Sequence, residues 1–342
     1  MIPFSVLDLS PVNEGESTRE ALHHSLKLAQ TAEQLGYRRF WMAEHHNMPG
    51  IASAATSVAL GFIAGGTQSI RIGSGGVMLP NHSPLVIAEQ FGTLASLYPD
   101  RVDLGLGRAP GTDMTTARAL RRDIYAAAER FPEDVQELQA YFEDEQPGQA
   151  VRAVPGTGLR VPLWLLGSSL YSAQLAAHLG LPFAFASHFA PTDLMPALSV
   201  YRSMFQPSAY LDKPYAMACV NVIAAATDEE ARFHYTSMQL ASVQLFRGKP
   251  GKMPPPVEDI DALVTPMEKA GVEQKLAYSM VGSPATVQHG VERFIEATGV
   301  NELMITSRIY DVQARLTSLA LTAPIFNPVA SANVNTSTPA NV

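Results

Sequence analysis

The sequence predicts an α/β protein, a (β/α)8 TIM barrel, from three observations. Short runs rich in β-branched, aromatic and leucine side chains recur along the chain. Between them lie amphipathic or apolar segments that are long enough for helices. Strand and helix alternate strictly, which indicates a parallel sheet, and eight such units favour closure into a barrel over an open doubly wound sheet.

The predicted elements fill residues 1–325, which we expect to form one barrel domain. Side-chain oxygens of Ser17 and Thr227 can cap helices, and Gly180 and Gly299 can end them. The predicted strands are 4–10, 38–43, 70–77, 102–107, 162–167, 182–187, 215–226 and 302–307. The predicted helices are 18–35, 51–65, 83–97, 113–144, 169–179, 191–205, 228–247, 284–298 and 311–322.

Three segments depart from the repeat. Residues 146–161 combine proline and glycine with an alternating Val-Arg-Ala-Val stretch, which predicts a β-hairpin inserted before strand five. Residues 246–281 contain three consecutive prolines and many polar side chains, which predict a long loop before the last helix and strand. A lid and an oligomer arm fit this loop equally. Residues 326–342 are predicted to be a disordered tail.

Composition narrows the classes of function. The net charge of −8, from 24 basic and 32 acidic residues, argues against nucleic acid or an anionic membrane as partner, since both bind clustered Lys and Arg. A small molecule is the expected substrate. The single cysteine, Cys219, argues against a disulfide framework and indicates a reducing compartment, which we expect to be the cytoplasm. No run of 18 uninterrupted apolar residues predicts a membrane span.

The end of strand two carries candidate catalytic side chains. Active sites of such barrels lie at the carboxyl ends of the strands, and this strand ends in Ala43-Glu44-His45-His46. Neighbouring strand residues point to opposite faces, so one histidine is expected to face the lumen. A general base, a metal-ligand pair and solvated loop histidines are alternatives. No resident metal is expected, because the other strand ends add only His188.

Glycines mark strands three and four. Gly75-Gly76 inside strand three predicts a bulge, a tight corner of the barrel or the close approach of a flat ligand. The stretch 105–111 is not a dinucleotide fingerprint, because Pro110 stands where the last glycine is required. We therefore expect no nicotinamide cofactor bound in that way.

Strands four and five end in groups that suit a phosphate. Arg108 follows strand four among small residues, where a guanidinium can bind phosphate oxygens or simply lie on the surface. Gly167, Ser168 and Ser169 end strand five at the start of a helix that also carries Ser172. Hydroxyls and amide protons at a helix start either hold an anion or only cap the helix. The two strand ends together favour a phosphate.

In this order and at these barrel positions, the residues resemble the bacterial luciferase-like monooxygenases, a family of flavin-dependent (β/α)8 oxidoreductases. The resemblance covers nearly the whole chain before residue 326. The motifs that carry it are 43–46, 73–80, 105–113 with 117–120, 167–169 and 281–284.

The resemblance implies roles for individual residues. His45, with Glu44 beside it, resembles the catalytic histidine that supports the oxygenation steps next to the flavin. Gly75 and Gly76 match the small residues under the flavin ring, which are often joined by a cis peptide. Ala43 also belongs to the implied flavin-binding set.

The flavin phosphate is implied to lie at the ends of strands four and five. Arg108 matches the arginine that meets it, and Gly167, Ser168, Ser169 and Ser172 fall where the family holds it on a helix start.

The resemblance implies a monooxygenase that receives reduced FMN from a separate flavin reductase and uses O2 to oxidise a small, aldehyde-like substrate. A homodimer is the expected assembly. Gly107 stands where luciferase has a reactive cysteine, so light emission is not implied. The alternatives are a deazaflavin-dependent oxidoreductase, a non-catalytic FMN-binding subunit and a metal-dependent hydrolase.

Overall fold

The computed structural model describes residues 2–120 and 124–328. The strands are β1 (Phe4–Asp8), β2 (Arg39–Met42), β3 (Arg71–Met78), β4 (Val102–Gly107), β5 (Leu163–Gly167), β6 (Phe183–Phe185), β7 (Ala216–Ala224), β8 (Ser279–Gly282) and β9 (Glu302–Thr306). All of their pairings are parallel, and β1 to β7 with β9 close into a ring through β6–β7 and β7–β9. The predicted (β/α)8 barrel and its eight strands are confirmed.

Helices fill the crossovers between the strands. Ser17 and Glu20 form a reciprocal capping box at the start of α1, and Gly180 and Gly299 end α7 and α11 with φ of 62° and 59°. The helices are α1 (Thr18–Gln34), α2 (Thr56–Gly65), α3 (Pro84–Leu97), α4 (Met114–Leu120), α5 (Ile124–Glu129), α6 (Phe131–Phe142), α7 (Leu170–Leu179), α8 (Leu194–Met204), α9 (Asp228–Phe246), α10 (Pro266–Lys275), α11 (Pro284–Thr298) and α12 (Val312–Thr322).

The segment 246–281 is more structured than the predicted loop. It contains α10 and β8, and β8 pairs outside the ring with the second half of β7, from Asn221–Ser279 to Ala224–Gly282. The prediction was wrong here because a four-residue strand carries too little periodicity to be told from a loop.

The predicted hairpin at 146–161 is also wrong, since this segment contains no strand. Its backbone groups bond locally and to the end of α6: Thr157 N donates to Ala153 O at 2.8 Å, and Arg160 N donates to Phe142 O at 3.0 Å. Pro155 has no amide proton to add to a ladder.

The chain after α12 returns to the amino-terminal strand. Phe326 stacks on Phe4, with ring centroids 4.6 Å apart, and Asn327 Nδ2 donates to Leu35 O at 3.2 Å. Of the predicted tail at 326–342, residues 329–342 lie outside the described part of the chain. No helix in the described residues is both long and apolar enough to cross a membrane.

The barrel interior is closed at the amino-terminal end of the strands. Arg39 bonds Glu302 at 2.9 Å and Asp103 at 2.6 Å, and both carboxylates are fully buried. Above this network, Trp41 and Trp164 meet edge to face with centroids 5.2 Å apart. Side chains therefore fill the barrel interior at the amino-terminal ends of the strands, which leaves the carboxyl-terminal ends as the place for a functional site.

Candidate active site

His45 lies at the mouth of the barrel, directly after β2. Arg308, which follows β9, and His188, which follows β6, both interact with it electrostatically. Burial is the main cause that lowers the pKa of His45 to about 4, and Arg308 lowers it further. Its buried Nδ1 has no hydrogen-bond partner among the described residues. His45 is thus a neutral imidazole with a free ring nitrogen.

Glu44 holds together the loops that follow β2 and β3. Its Oε1 lies 2.7 Å from His46 Nε2, 2.8 Å from His82 Nε2 and 3.3 Å from Asn81 Nδ2, and its Oε2 accepts from Met78 N at 3.0 Å. Burial raises the pKa of Glu44, but these hydrogen bonds lower it more, to about 2. The structure does not bring this carboxylate into hydrogen-bond contact with His45 in the described part of the chain.

The predicted alternative of a His45–His46 metal pair is not assembled, because His46 lies 2.7 Å from Glu44 whereas the buried Nδ1 of His45 has no hydrogen-bond partner among the described residues. Glu44, His46 and His82 do place ligand-type atoms within 4.8 Å of one another. We interpret them as a hydrogen-bond network, since both oxygens of Glu44 accept hydrogen bonds. The absence of a resident metal stays a prediction, which elemental analysis of the purified protein tests.

The two glycines of β3 form a bulge joined by a cis peptide. The β3–β4 register shifts at this point, as the sequence predicted. A Cβ on Gly75 would lie 2.6 Å from Leu7 Cδ1, and one on Gly76 would lie 2.7 Å from Gly105 O. Barrel packing therefore requires glycine at position 76, where the obstacle is backbone, whereas a side chain at position 75 would displace the end of Leu7. Because these two residues have no side chains, their backbone is not covered by a side chain of its own at the barrel mouth beside β2.

The side chains predicted to bind a phosphate lie together at the start of α7. The Arg108 guanidinium stacks 3.9 Å from the centroid of the Tyr171 ring, in the first turn of that helix. The side chain of Ser169, the N-cap residue, makes no capping hydrogen bond. Within the described residues, the hydroxyls of Ser168, Ser169 and Ser172 accept and donate no hydrogen bonds. The corner holds a cation and unused donors at the positive end of a helix.

Two further predicted residues shape the site from below. A Cβ on Gly167 would collide with the side chain of Ser172, so only glycine lets that hydroxyl approach the end of β5. Ala43 is buried in the lumen, and its carbonyl accepts from Ser53 Oγ at 2.5 Å.

The segment 246–281 adds covering contacts at the same end of the barrel. Met253 N donates to Val12 O at 2.9 Å, and Glu14 N donates to Met253 O at 2.9 Å. Val12 and Glu14 belong to the loop after β1, so this segment is attached directly to the rim of the site.

Sequence reasoning missed several residues of the site. Arg308 follows β9, Lys275 ends α10 and Asn221 lies within β7, so the three residues are far from one another in the chain. Tyr171, in the first turn of α7, was not identified either. The signal available for Arg308 was its position two residues after β9, near a strand end as is Arg108, which directly follows β4.

The neutral histidines predict a pH dependence of stability. The pKa of His45 is lowered to about 4 and that of His188 to about 3, both mainly by burial, from an ordinary value of 6.5. Below 6.5 the unfolded chain binds protons that the folded chain refuses, so the free energy of unfolding falls as pH falls towards 4. Each histidine contributes up to about 1.4 kcal/mol per pH unit.

Urea unfolding of wild type and of a His45→Asn/His188→Asn variant at about pH 7.5 and about pH 5 measures this dependence. The variant is expected to lose less stability on acidification than wild type. Equal losses would show that these histidines are not held neutral by the fold.

The fold is a (β/α)8 barrel whose strand ends carry a buried histidine after β2 and, at the start of α7, an arginine with serine hydroxyls. A family model of luciferase-like monooxygenases matches residues 2–302, and the chain belongs to this family. It is 58% identical to a luciferase-like monooxygenase of Escherichia coli (strain K12) over 94% of this chain and 96% of that protein. It is 39% identical to N-acetyl-S-alkylcysteine monooxygenase of Bacillus subtilis (strain 168) over 73% and 75%. The predicted family is confirmed.

Solved structures give the same fold. Apo-MsnO8 has a TM-score of 0.86 at 36% identity and covers 95% of this chain and 98% of its own. Two others show the fold alone. The oxygenating constituent of 3,6-diketocamphane monooxygenase from Pseudomonas putida, in complex with FMN, has a TM-score of 0.71 at 18% identity (96% and 98% covered). An F420-dependent secondary alcohol dehydrogenase has 0.72 at 15% (95% and 98% covered).

Proposed function

We propose that this protein is a monooxygenase that uses reduced FMN and O2 to oxidise a small organic substrate of aldehyde-like character. The observation that carries the proposal is the corner at the start of α7, where Arg108 stacks on Tyr171 and neither its guanidinium nor three serine hydroxyls have a hydrogen-bond partner in the described chain. A phosphate monoester suits this donor set, because it offers three acceptor oxygens and a negative charge.

The remaining surface fits the rest of FMN. The backbone of Gly75-Gly76 presents no side chain, so a planar ring can lie against it at the same end of the barrel as His45. The family relatives whose names describe monooxygenases support this assignment.

In this mechanism, bound reduced FMN supplies two electrons to O2, so that one oxygen atom enters the substrate and the other leaves as water. Arg108, Ser168, Ser169 and Ser172 fix the phosphate and thereby the position of the ring. His45 holds or moves a proton at its free Nδ1, which is neutral at physiological pH because of burial and the nearby Arg308. Glu44 acts as a positioning residue that keeps the loops after β2 and β3 in place.

Water exclusion is assigned to the segment 246–281, which we propose as a lid because its contacts join it to the rim loop after β1. The proposal includes a separate flavin reductase that supplies reduced FMN, a homodimeric assembly and a cytoplasmic location.

Replacing Arg108 with glutamine is expected to weaken FMN binding by roughly tenfold to hundredfold, because one charged hydrogen-bond donor to the phosphate is lost. Riboflavin, which lacks the phosphate, is the matched ligand. Wild type is expected to prefer FMN, and the variant to bind both with similar affinity. Fluorescence titration measures both constants. If the variant preferred FMN over riboflavin as strongly as wild type does, Arg108 would not be a residue that binds the phosphate.

The reaction class is tested by supplying reduced FMN through a purified reductase under ¹⁸O2. The proposal expects one labelled oxygen in the product of an aldehyde such as decanal, and no such turnover with reduced F420. Turnover with F420 in the absence of O2 would instead establish the deazaflavin alternative.

A further inference from the structure

The mouth of the barrel contains a second set of unpartnered cationic groups, opposite the phosphate corner. Arg308 makes no hydrogen bond or ion pair among the described residues, and its Nε is fully buried. Lys275, the last residue of α10, interacts electrostatically with Arg308 and contacts only the face of the Phe246 ring, 5.5 Å away. Two cations are therefore held near each other without a contacting acid.

The nearby acid does not neutralise this pair. Asp8 is the acidic group that acts on Arg308. Its Oδ1 is bonded to Arg315 at 2.7 Å, and its buried Oδ2 makes no hydrogen bond to Arg308 or to any other described residue. Burial and the nearby Arg315 lower the pKa of Arg308 to about 10, and burial also lowers that of Lys275. Uncompensated cations in a buried setting are costly unless an anion joins them.

Neutral polar groups line the same place. Asn221 lies opposite Thr306 on β9 and opposite Ser279 on β8, so the three residues form one row across neighbouring strands. Asn221 Nδ2 donates to His188 O at 2.8 Å and to Ser279 Oγ at 3.1 Å. Asn221 Oδ1 and Thr306 Oγ1 have no partner in the described chain.

From this arrangement we infer that the substrate carries a carboxylate, which Arg308 and Lys275 bind while Asn221 and Thr306 orient the atoms next to it. The inference rests on the proposed function for the identity of the site as a substrate site. Arg308 also acts electrostatically on His45, the residue assigned to proton handling, so the proposed carboxylate lies at the same end of the barrel as His45.

The competing occupant is the polar edge of the flavin ring, which is also anionic when reduced. A substrate carboxylate explains this group of residues better than the flavin ring does. Lys275 comes from α10, in the segment proposed as the lid, and not from the barrel wall that faces Gly75-Gly76. Lys275, on the proposed lid, therefore contacts the substrate carboxylate only when the substrate is bound and the lid is closed over it.

Calorimetric titration with matched probes tests the inference. The probes are hexanoate with hexanamide and phenylacetate with phenylacetamide, each added to the full chain with and without saturating FMN. At least one carboxylate is expected to bind roughly tenfold or more tightly than its amide. Arg308→Gln and Lys275→Gln are expected to abolish or reduce this preference, and Arg308→Lys to retain part of it.

The matched control is Lys269→Gln, on the same helix, because Lys269 is exposed and pairs with Asp261 at 2.8 Å. It is expected to leave the carboxylate preference unchanged. Equal affinity for carboxylate and amide in wild type, or a preference that survives both Arg308→Gln and Lys275→Gln, overturns the inference. So does a loss of riboflavin affinity in Arg308→Gln without a carboxylate preference, since the cluster then serves the flavin ring. Because FMN binding is measured separately, failure of the proposed function is recognised independently.

Discussion

Replacement of His45 by alanine is expected to lower kcat of the FMN-dependent oxidation by about 10²- to 10⁴-fold, the range for loss of a general acid or base. The physical reason is the free Nδ1 of a ring that burial and Arg308 keep neutral. FMN affinity is expected to change little, because the phosphate is held at the start of α7. Oxygen uptake and product formation under saturating reduced FMN measure the effect.

The matched control is His289→Ala, since His289 is exposed on α11. Wild-type kcat is expected in this variant. If His45→Ala also retained wild-type kcat, the proton-handling role would be wrong. A large loss of FMN affinity instead would make His45 a binding residue.

Replacement of Arg39 by alanine is expected to lower the free energy of unfolding by about 3–5 kcal/mol, the range for breaking a buried ion pair from one side. Arg39 is 7% exposed and joins Asp103 and Glu302, which are 0% exposed. Burial lowers the pKa of Arg39, but the two carboxylates raise it further, so the guanidinium stays charged. Its removal leaves Asp103 with Arg71 and Glu302 with Arg38 at 3.8 Å, so the two carboxylates lose the one cation that joins them.

Urea unfolding measures this loss, with Arg247→Ala as the control. Arg247 pairs with Glu268 at 2.7 Å but is 48% exposed, so its loss is expected to cost less than about 1 kcal/mol. Similar losses in both variants would mean that the amino-terminal network does not stabilise the barrel.

The strands of the ring could be predicted because each is an apolar run bounded by helix signals. β8 could not, since Ser279–Gly282 is short and pairs with β7 outside the ring. The hairpin error at 146–161 has a related cause. Alternation of side chains there resembles a strand, but pairing depends on a partner, and the end of α6 binds this backbone instead.

The residues of the site that could be predicted are those whose place is determined by their position at the end of a strand. His45, Arg108 and the serines of α7 follow strand ends, so their shared location comes from the barrel itself. The hydrogen-bond partners of Glu44 depend on side-chain directions that sequence spacing does not define. Arg308 and Lys275 lie near each other because of the path that the chain takes between α10 and β9, which the sequence does not reveal.

In the proposed function, the carboxyl-terminal end of this barrel binds reduced FMN through its phosphate. Anaerobic titration of the purified protein with reduced FMN and reduced riboflavin tests it most directly. We expect saturable binding of about one reduced FMN per chain, with higher affinity than for oxidised FMN and roughly tenfold or more higher affinity than for reduced riboflavin. Absence of saturable binding, or equal affinity for reduced FMN and reduced riboflavin, would contradict it.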